Sequence, residues 1–284
     1  MIAWGLSNML GSDEGCWSFL EPFFDILAQD PSPYVQAALV FAIHPMTHID
    51  GLETRARATF SRFVSDRPGI AAVPGSESLL FCQANSDPEW ALEFVRPMCD
   101  SDREESQNAA GRLSAIWHLQ GIDSATALIS NYSNLEHFRS GVAHVFAANF
   151  EDRELREACR TGLEECEEPD LEVLIHHLPT SHWRDAEDLF IEHLERRSEA
   201  PWFMIAHQLE DEESLPIRLV LRLGRHFLDF HEQGGTAFHH ANDMEALLLR
   251  LYQQDQEARG QVLDLFDEFG MKSMLKTVGE SERL

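Results

Sequence analysis

The sequence predicts an all-α fold, an α-α superhelix in which helix pairs stack side by side along residues 1–284. Three observations carry this. Apolar residues recur at helical spacing almost throughout. No run of alternating β-branched residues marks a strand. A short helical pattern repeats at intervals near 35 residues, the scale of two helices plus turns.

Taken in order, the first helix is written in Cys16–Leu27, where Trp17, Leu20, Phe24 and Leu27 fall on one face. Asp30-Pro31-Ser32-Pro33 ends it and starts the next. Pro45 is expected to end that second helix between His44 and His48. Residues 66–76, with Pro68, Gly69, Pro74 and Gly75, read as the clearest early loop. Ser86-Asp87-Pro88 sets an N-cap residue before a first-turn proline. Ser101-Asp102 precedes a polar helix, and Gly121 reads as a stop. Phe138, Val142, Val145 and Phe146 form the stripe of a later helix, with small Gly141 and Ala143 beside them. Pro169-Asp170 opens another helix, residues 232–241 form the clearest late loop, and Gly270 is a further stop. The count is about fifteen to seventeen helices of ordinary length. The two loops divide the single solenoid into segments 1–66, 76–232 and 241–284.

The repeat is read from one motif, apolar–polar–small–small–apolar. It appears as Val35-Gln36-Ala37-Ala38-Leu39 and Phe138-Arg139-Ser140-Gly141-Val142. Ser106-Gln107-Asn108-Ala109-Ala110 is a weaker copy, and the segment around Val173 is weaker still. The starts, 35, 106, 138 and 173, are separated by 71, 32 and 35 residues, so one repeat is skipped. The small residues would let one helix approach its neighbour closely.

These residues resemble HEAT-like (armadillo-type) repeats, in which the second helix of each pair carries Val-Arg/Gln-x-x-Ala. From Phe138 onward the chain also resembles the C-terminal repeat tails of large bacterial multidomain proteins that carry a signalling NTPase upstream. That likeness rests on Phe138–Asn149, Pro169–Val173, Arg222–Gly235 and Leu247–Phe269. The resemblance implies a bacterial scaffold or sensor attached to a signalling or defence machine. Gln36, Gln107 and Leu174 stand where such tails often carry arginine, so an arginine-linked ladder between repeats is not expected.

Composition narrows the function. The chain has 49 acidic and 22 basic residues, a formal net charge of −27. Only Lys272 and Lys276 are lysines, and no Lys or Arg precedes Arg55. Such a surface repels a phosphate backbone, so nucleic acid is not the expected partner. No basic n-region or membrane-length apolar run exists, and the expected location is cytoplasmic. The five cysteines (Cys16, Cys82, Cys99, Cys159, Cys166) form no Cys-x-x-Cys pair, and structural disulfides are not expected. The apolar opening Met1–Leu6 is expected to pack on something: an upstream domain, a second protomer or its own next helix.

No Gly-Lys-Ser/Thr loop, GxGxxG, GxSxG or HExxH occurs, and no cofactor or metal is expected. Among fourteen histidines, no local spacing supplies three zinc ligands. The chain is therefore read as a non-enzymatic protein-interaction module. With second helices lining the concave side, Gln36, Arg112, Arg139 and His144 become candidate contacts. Arg218, Arg222 and Arg225, at i, i+4 and i+7 on Leu215–Phe230, form a basic stripe. That stripe is read either as a seam to acidic neighbours (Asp185, Glu187, Asp188 or Glu210–Glu213) or as a site for an acidic partner or phosphate. Arg153, Arg156 and Arg160 read as ordinary intrahelical pairing. The six tryptophans read as packing anchors. Two rival functions stay open: a small helical-repeat enzyme or lyase with an acid/His groove, and a HEAT-like DNA glycosylase, which needs a basic groove.

Overall fold

The computed structural model describes residues 17–165, 171–196, 202–210, 212–232 and 241–268, with positions 5 and 9. The apolar opening, Cys16, Cys166, Pro169-Asp170, most of the late loop, Gly270 and both lysines lie outside these residues. The described chain is all-α, with no strand. Its helices are α1 (Trp17–Ala28), α2 (Pro33–Met46), α3 (Glu53–Asp66), α4 (Pro74–Ala84), α5 (Pro88–Cys99), α6 (Glu104–Leu119), α7 (Asp123–Tyr132), α8 (Glu136–Ala148), α9 (Arg156–Glu165), α10 (Leu171–His177), α11 (Glu187–Arg196), α12 (Trp202–Gln208), α13 (Ile217–Glu232), α14 (Ala241–Gln254) and α15 (Arg259–Glu268). Two compact units divide between Val145 and Phe146, inside α8, and not at either predicted loop.

The helix boundaries follow local chemistry. Pro33, Pro74 and Pro88 each open a helix where the missing N–H costs nothing. Asp87 caps α5, its Oδ1 accepting from Trp90 N at 3.1 Å. After α6, Gly121 adopts φ +78°. Its N–H donates to His118 O (2.9 Å), and Ile122 N donates to Trp117 O (2.9 Å). This is the paired C-terminal bonding that favours glycine. Residues 66–76 are not an open loop. Pro68–Ala72 forms a 3-10 turn that buries Ile70 and Ala71 against α3–α6.

Pro45 does not end α2, which runs on to Met46. The exit instead tightens to three-residue bonds: Thr47 N to His44 O and His48 N to Pro45 O, both 3.1 Å. Thr47 Oγ1 also donates to His44 O at 2.7 Å.

Helices pack on sequence neighbours and on helices two places along. In the first unit α2 meets α4, α4 meets α6, and α5 meets α7. In the second, α11 meets α13, α13 meets α15, α10 meets α12 and α12 meets α14. The odd helices α3 to α13 begin at 53, 88, 123, 156, 187 and 217, in steps of 35, 35, 33, 31 and 30. The four motif copies lie on even helices α2, α6, α8 and α10, and α4 is the repeat they skip.

Burial follows the predicted stripes. Leu20 and Phe24 are buried on α1, and Phe138, Val142, Val145 and Phe146 on α8. Trp117 and Trp183 are fully buried. Trp90 packs edge-on to Phe94 with Arg57 over its ring, and Trp17 packs on Phe24 with Arg55 over it. The backbones of α6 and α8 approach closely. A methyl built on Gly111 would collide with Phe138 O, and one built on Gly141 would collide with Asn108 O. Only hydrogen at both positions lets these backbones touch.

Candidate functional site

The polar residue of the repeat motif has a local task. Gln36 Nε2 donates to Asp30 O (3.2 Å), Gln107 Nε2 to Ser101 O (2.8 Å) and Arg139 Nη1 to Ser133 O (3.3 Å). Each reaches back six residues to hold the loop before its helix. Arg156 repeats the bond from Nε to Phe150 O at 3.1 Å. Gln36 is buried and Arg139 half-buried, so both spend donors inside the repeat. His144 is half-buried on α8.

Arginines do link successive helix pairs, from positions the motif does not mark. Arg55 meets Glu21 (2.5 Å) and Asp25, and Arg57 meets Asp87 (2.6 Å) and Gln83 (2.9 Å). Arg156 and Arg160 bond across to Asp185, so that basic line is not intrahelical. Backbone bonds to Trp90 N and then the Arg57 guanidinium hold Asp87 below the usual carboxylate range.

Arg112 lines a cleft of the first unit. This cleft, about 620 Å3, opens among α2, α4 and α6. Pro74, Phe81, Leu113 and Ile116 give it an apolar lining; His44, Glu77, Ser78, Cys82 and Arg112 supply the polar groups. Arg112 forks onto Glu77 with bonds of 2.6 and 3.0 Å and also meets Asn108. The fork fixes both side chains, because two parallel charge-assisted bonds set distance and plane together.

At one side of the cleft the structure brings together residues the sequence separates. His44 and His48 stack edge-on with ring centroids 5.4 Å apart. Cys82, on α4, joins them: one ligand atom from each of the three lies within 4.8 Å of the other two. Burial, and then His48, pushes the His44 imidazole below its usual value; burial pushes the Cys82 thiol up. The His44/His48 spacing was visible in sequence. Cys82 was not, because its approach depends on α2 packing against α4.

In the second unit, Arg218, Arg222 and Arg225 line a cleft of about 400 Å3 with Ile191, Gln261 and Asp264. Their partners are Asp188 (2.6 Å), Glu195 (3.4 Å) and Glu268. Asp188 is among the acids the sequence pointed to; Glu210–Glu213 is not the partner. Carbonyls of Leu209, Glu210 and Glu212 are held instead by Arg250. Glu187 accepts from the first-turn amides of Arg218 (3.1 Å) and Leu219 (3.3 Å), capping α13 across the helix pair. Each of the three guanidiniums is already paired with a carboxylate, which reduces the positive charge open to a phosphate. His226, on the same helix, is pushed below its usual value by burial and then by Arg222.

One apolar face remains open among the described residues. On α1, Phe19 (65%), Phe23 (47%) and Ile26 (71%) are exposed, and so is Tyr34 (85%) in the first turn of α2. Spacing of i, i+4 and i+7 places the first three on one side of the helix, away from buried Leu20 and Phe24. The pattern was legible in the sequence, where α1 is apolar on two faces. Among the described residues no helix is long and apolar enough to cross a membrane. No family model matches the chain, and neither a curated protein nor a solved structure matches it.

Proposed function

We propose that this chain is a HEAT-like helical-repeat scaffold or sensor that binds a protein partner and performs no chemistry of its own, serving a bacterial signalling or defence system. The observation that carries this reading is the exposed Phe19, Phe23 and Ile26 face of α1. Aromatic and aliphatic groups grouped on one surface are the usual anchors of a protein interface. The steps near 35 residues, the reach-back bonds and the alternate-helix packing support the HEAT-like assignment. The net charge of −27 favours a partner that surrounds its apolar contact with basic residues.

The glycosylase alternative draws no support from the arginine positions. Arg55, Arg57, Arg112, Arg156, Arg218, Arg222 and Arg225 each face a carboxylate. The predicted contacts Gln36, Arg112 and Arg139 hold the repeat together, so their contribution to binding is positional.

The test is a Phe19→Ser/Ile26→Ser double variant against a partner identified by affinity capture and then purified. Both positions are exposed, so the melting temperature should hold while affinity falls at least tenfold. Binding equal to wild type would refute the assignment of this face.

A further inference from the structure

We propose that His44, His48 and Cys82 form a binding site for a zinc-class divalent cation, held by two imidazole nitrogens and one thiolate. Three separate features place the donors. His44 is set by the last turn of α2, and His48 by the tightened exit that follows it, through its N–H to Pro45 O and the Thr47 bonds to His44 O. Cys82 comes from α4, which packs directly on α2. Two elements of neighbouring repeats thus present three donors to one point.

The distances fit. Zinc binds nitrogen at about 2.0–2.1 Å and sulfur at about 2.3 Å, so tetrahedral donors stand about 3.3–3.6 Å apart. The three donor atoms here lie within 4.8 Å of one another. Closing the remaining ångström or so takes side-chain rotation only: His48 is exposed and Cys82 half-exposed. The donor set decides the metal. Two imidazoles and a thiolate suit zinc, cobalt or nickel; calcium and magnesium require oxygen. Binding displaces the Cys82 proton to solvent, so one proton is released per metal bound.

Three protein ligands leave a fourth position, which water fills. His44 and Cys82 both line the cleft beside the Glu77–Arg112 pair, so that position is reached from solvent through the cleft. An arrangement with one exchangeable position is the kind that binds an incoming ligand, in contrast to a closed four-residue structural site.

The experiment uses the full chain, stripped with a chelator and titrated with cobalt(II). The wild type should bind one cobalt at this site, with a thiolate-to-cobalt charge-transfer band and the visible bands of four-coordinate cobalt. Cys82→Ser should abolish the charge-transfer band, and His48→Gln should weaken binding at least tenfold. Both should keep the wild-type circular dichroism spectrum, because His48 is exposed and serine is nearly isosteric with cysteine. Absence of the band in wild type would overturn the proposal. So would a band that persists in Cys82→Ser, since it would then arise from another cysteine.

Discussion

Gly141→Ala tests the packing of α6 on α8 at its tightest point. The added methyl would collide with Asn108 O and lie 3.0 Å from Arg112 N and from Asn108 C. All three are backbone atoms of a helix, so no rotamer change relieves them. The helices must separate by about 1 Å, and a gap of that size forfeits a quarter to a half of each contact's dispersion energy. The contacts at stake are those of Ala109, Ala110, Leu113, Phe138 and Val142, all buried. Overpacking of this kind costs about 1–3 kcal/mol, with rigid backbone at the upper end. Alanine's better helix propensity returns at most about 1 kcal/mol. The net expectation is a loss of about 2 kcal/mol, or about 4–8 °C in Tm for a unit of this size. Gly260→Ala is the control: nothing lies within 4 Å of its methyl, so stability should hold or rise by a few tenths of a kcal/mol. The assay is urea and thermal unfolding followed by circular dichroism. Gly111→Ala combined with Gly141→Ala should cost less than the two single losses added, since one separation relieves both collisions. A Gly141→Ala protein as stable as wild type would refute the account of this crossing.

Arg139→Gln should melt within about 1 °C of wild type, because Gln36 and Gln107 already make the same reach-back bond. Arg139→Ala should lose about 1 kcal/mol, measured by urea unfolding. Glu77→Gln should cost about 1 kcal/mol by weakening the half-buried fork to Arg112, with Cα positions elsewhere unchanged by amide chemical shift. Asp87 contributes stability above its unfolded pKa and loses it as pH falls through the depressed folded value. An Asp87→Asn protein should therefore show a flatter acid limb than wild type in stability measured against pH. Thiol labelling of the native protein, read by peptide mass, should modify Cys82 before Cys99 and Cys159. Burial, and then Asp100, pushes Cys99 up to about 12; burial, and then Asp152, pushes Cys159 up to about 11.

The all-α class was legible because its signals are local. Apolar spacing gave α1 and α8, prolines opened α2 and α5, and Gly121 closed α6, whereas Pro74, read as part of a loop, opens α4. Three motif positions, Gln36, Gln107 and Arg139, make the same bond back to the segment before their helix. What sequence could not supply was the partner of each charge. Arg156 and Arg160 sit among acids on their own segment yet turn to Asp185 in the next pair. Intrahelical and cross-helix partners lie at similar reach, and only the packing of adjacent pairs decides between them. Pro45 misled for a related reason. A proline in a last turn removes a bond that a three-residue exit can forgo, so α2 continues and sets His48 beside His44.

This use of charge redirects the search for function. Arginine was the natural suspect for recognition in so acidic a chain, since a rare cation on an acidic surface stands out. Arg55, Arg57, Arg112, Arg156, Arg218, Arg222 and Arg225 instead pair with acids of neighbouring helices, and the acids they consume are a minority of 49. Arg57, Arg112 and Arg156 among them are half-screened from solvent, which makes them costly to release to a partner. The excess acid stays outside and raises the local concentration of cations. Two features are not consumed this way: the apolar face of α1, and the His44–His48–Cys82 corner. They differ in their dependence on salt. As ionic strength rises, docking through Phe19 and Ile26 should lose only the share of affinity its basic rim supplies, whereas metal capture aided by a net charge of −27 should weaken more steeply. Measuring partner affinity and cobalt affinity across a salt series separates the two: parallel salt dependence would show that one electrostatic surface governs both, and the division made here would fail.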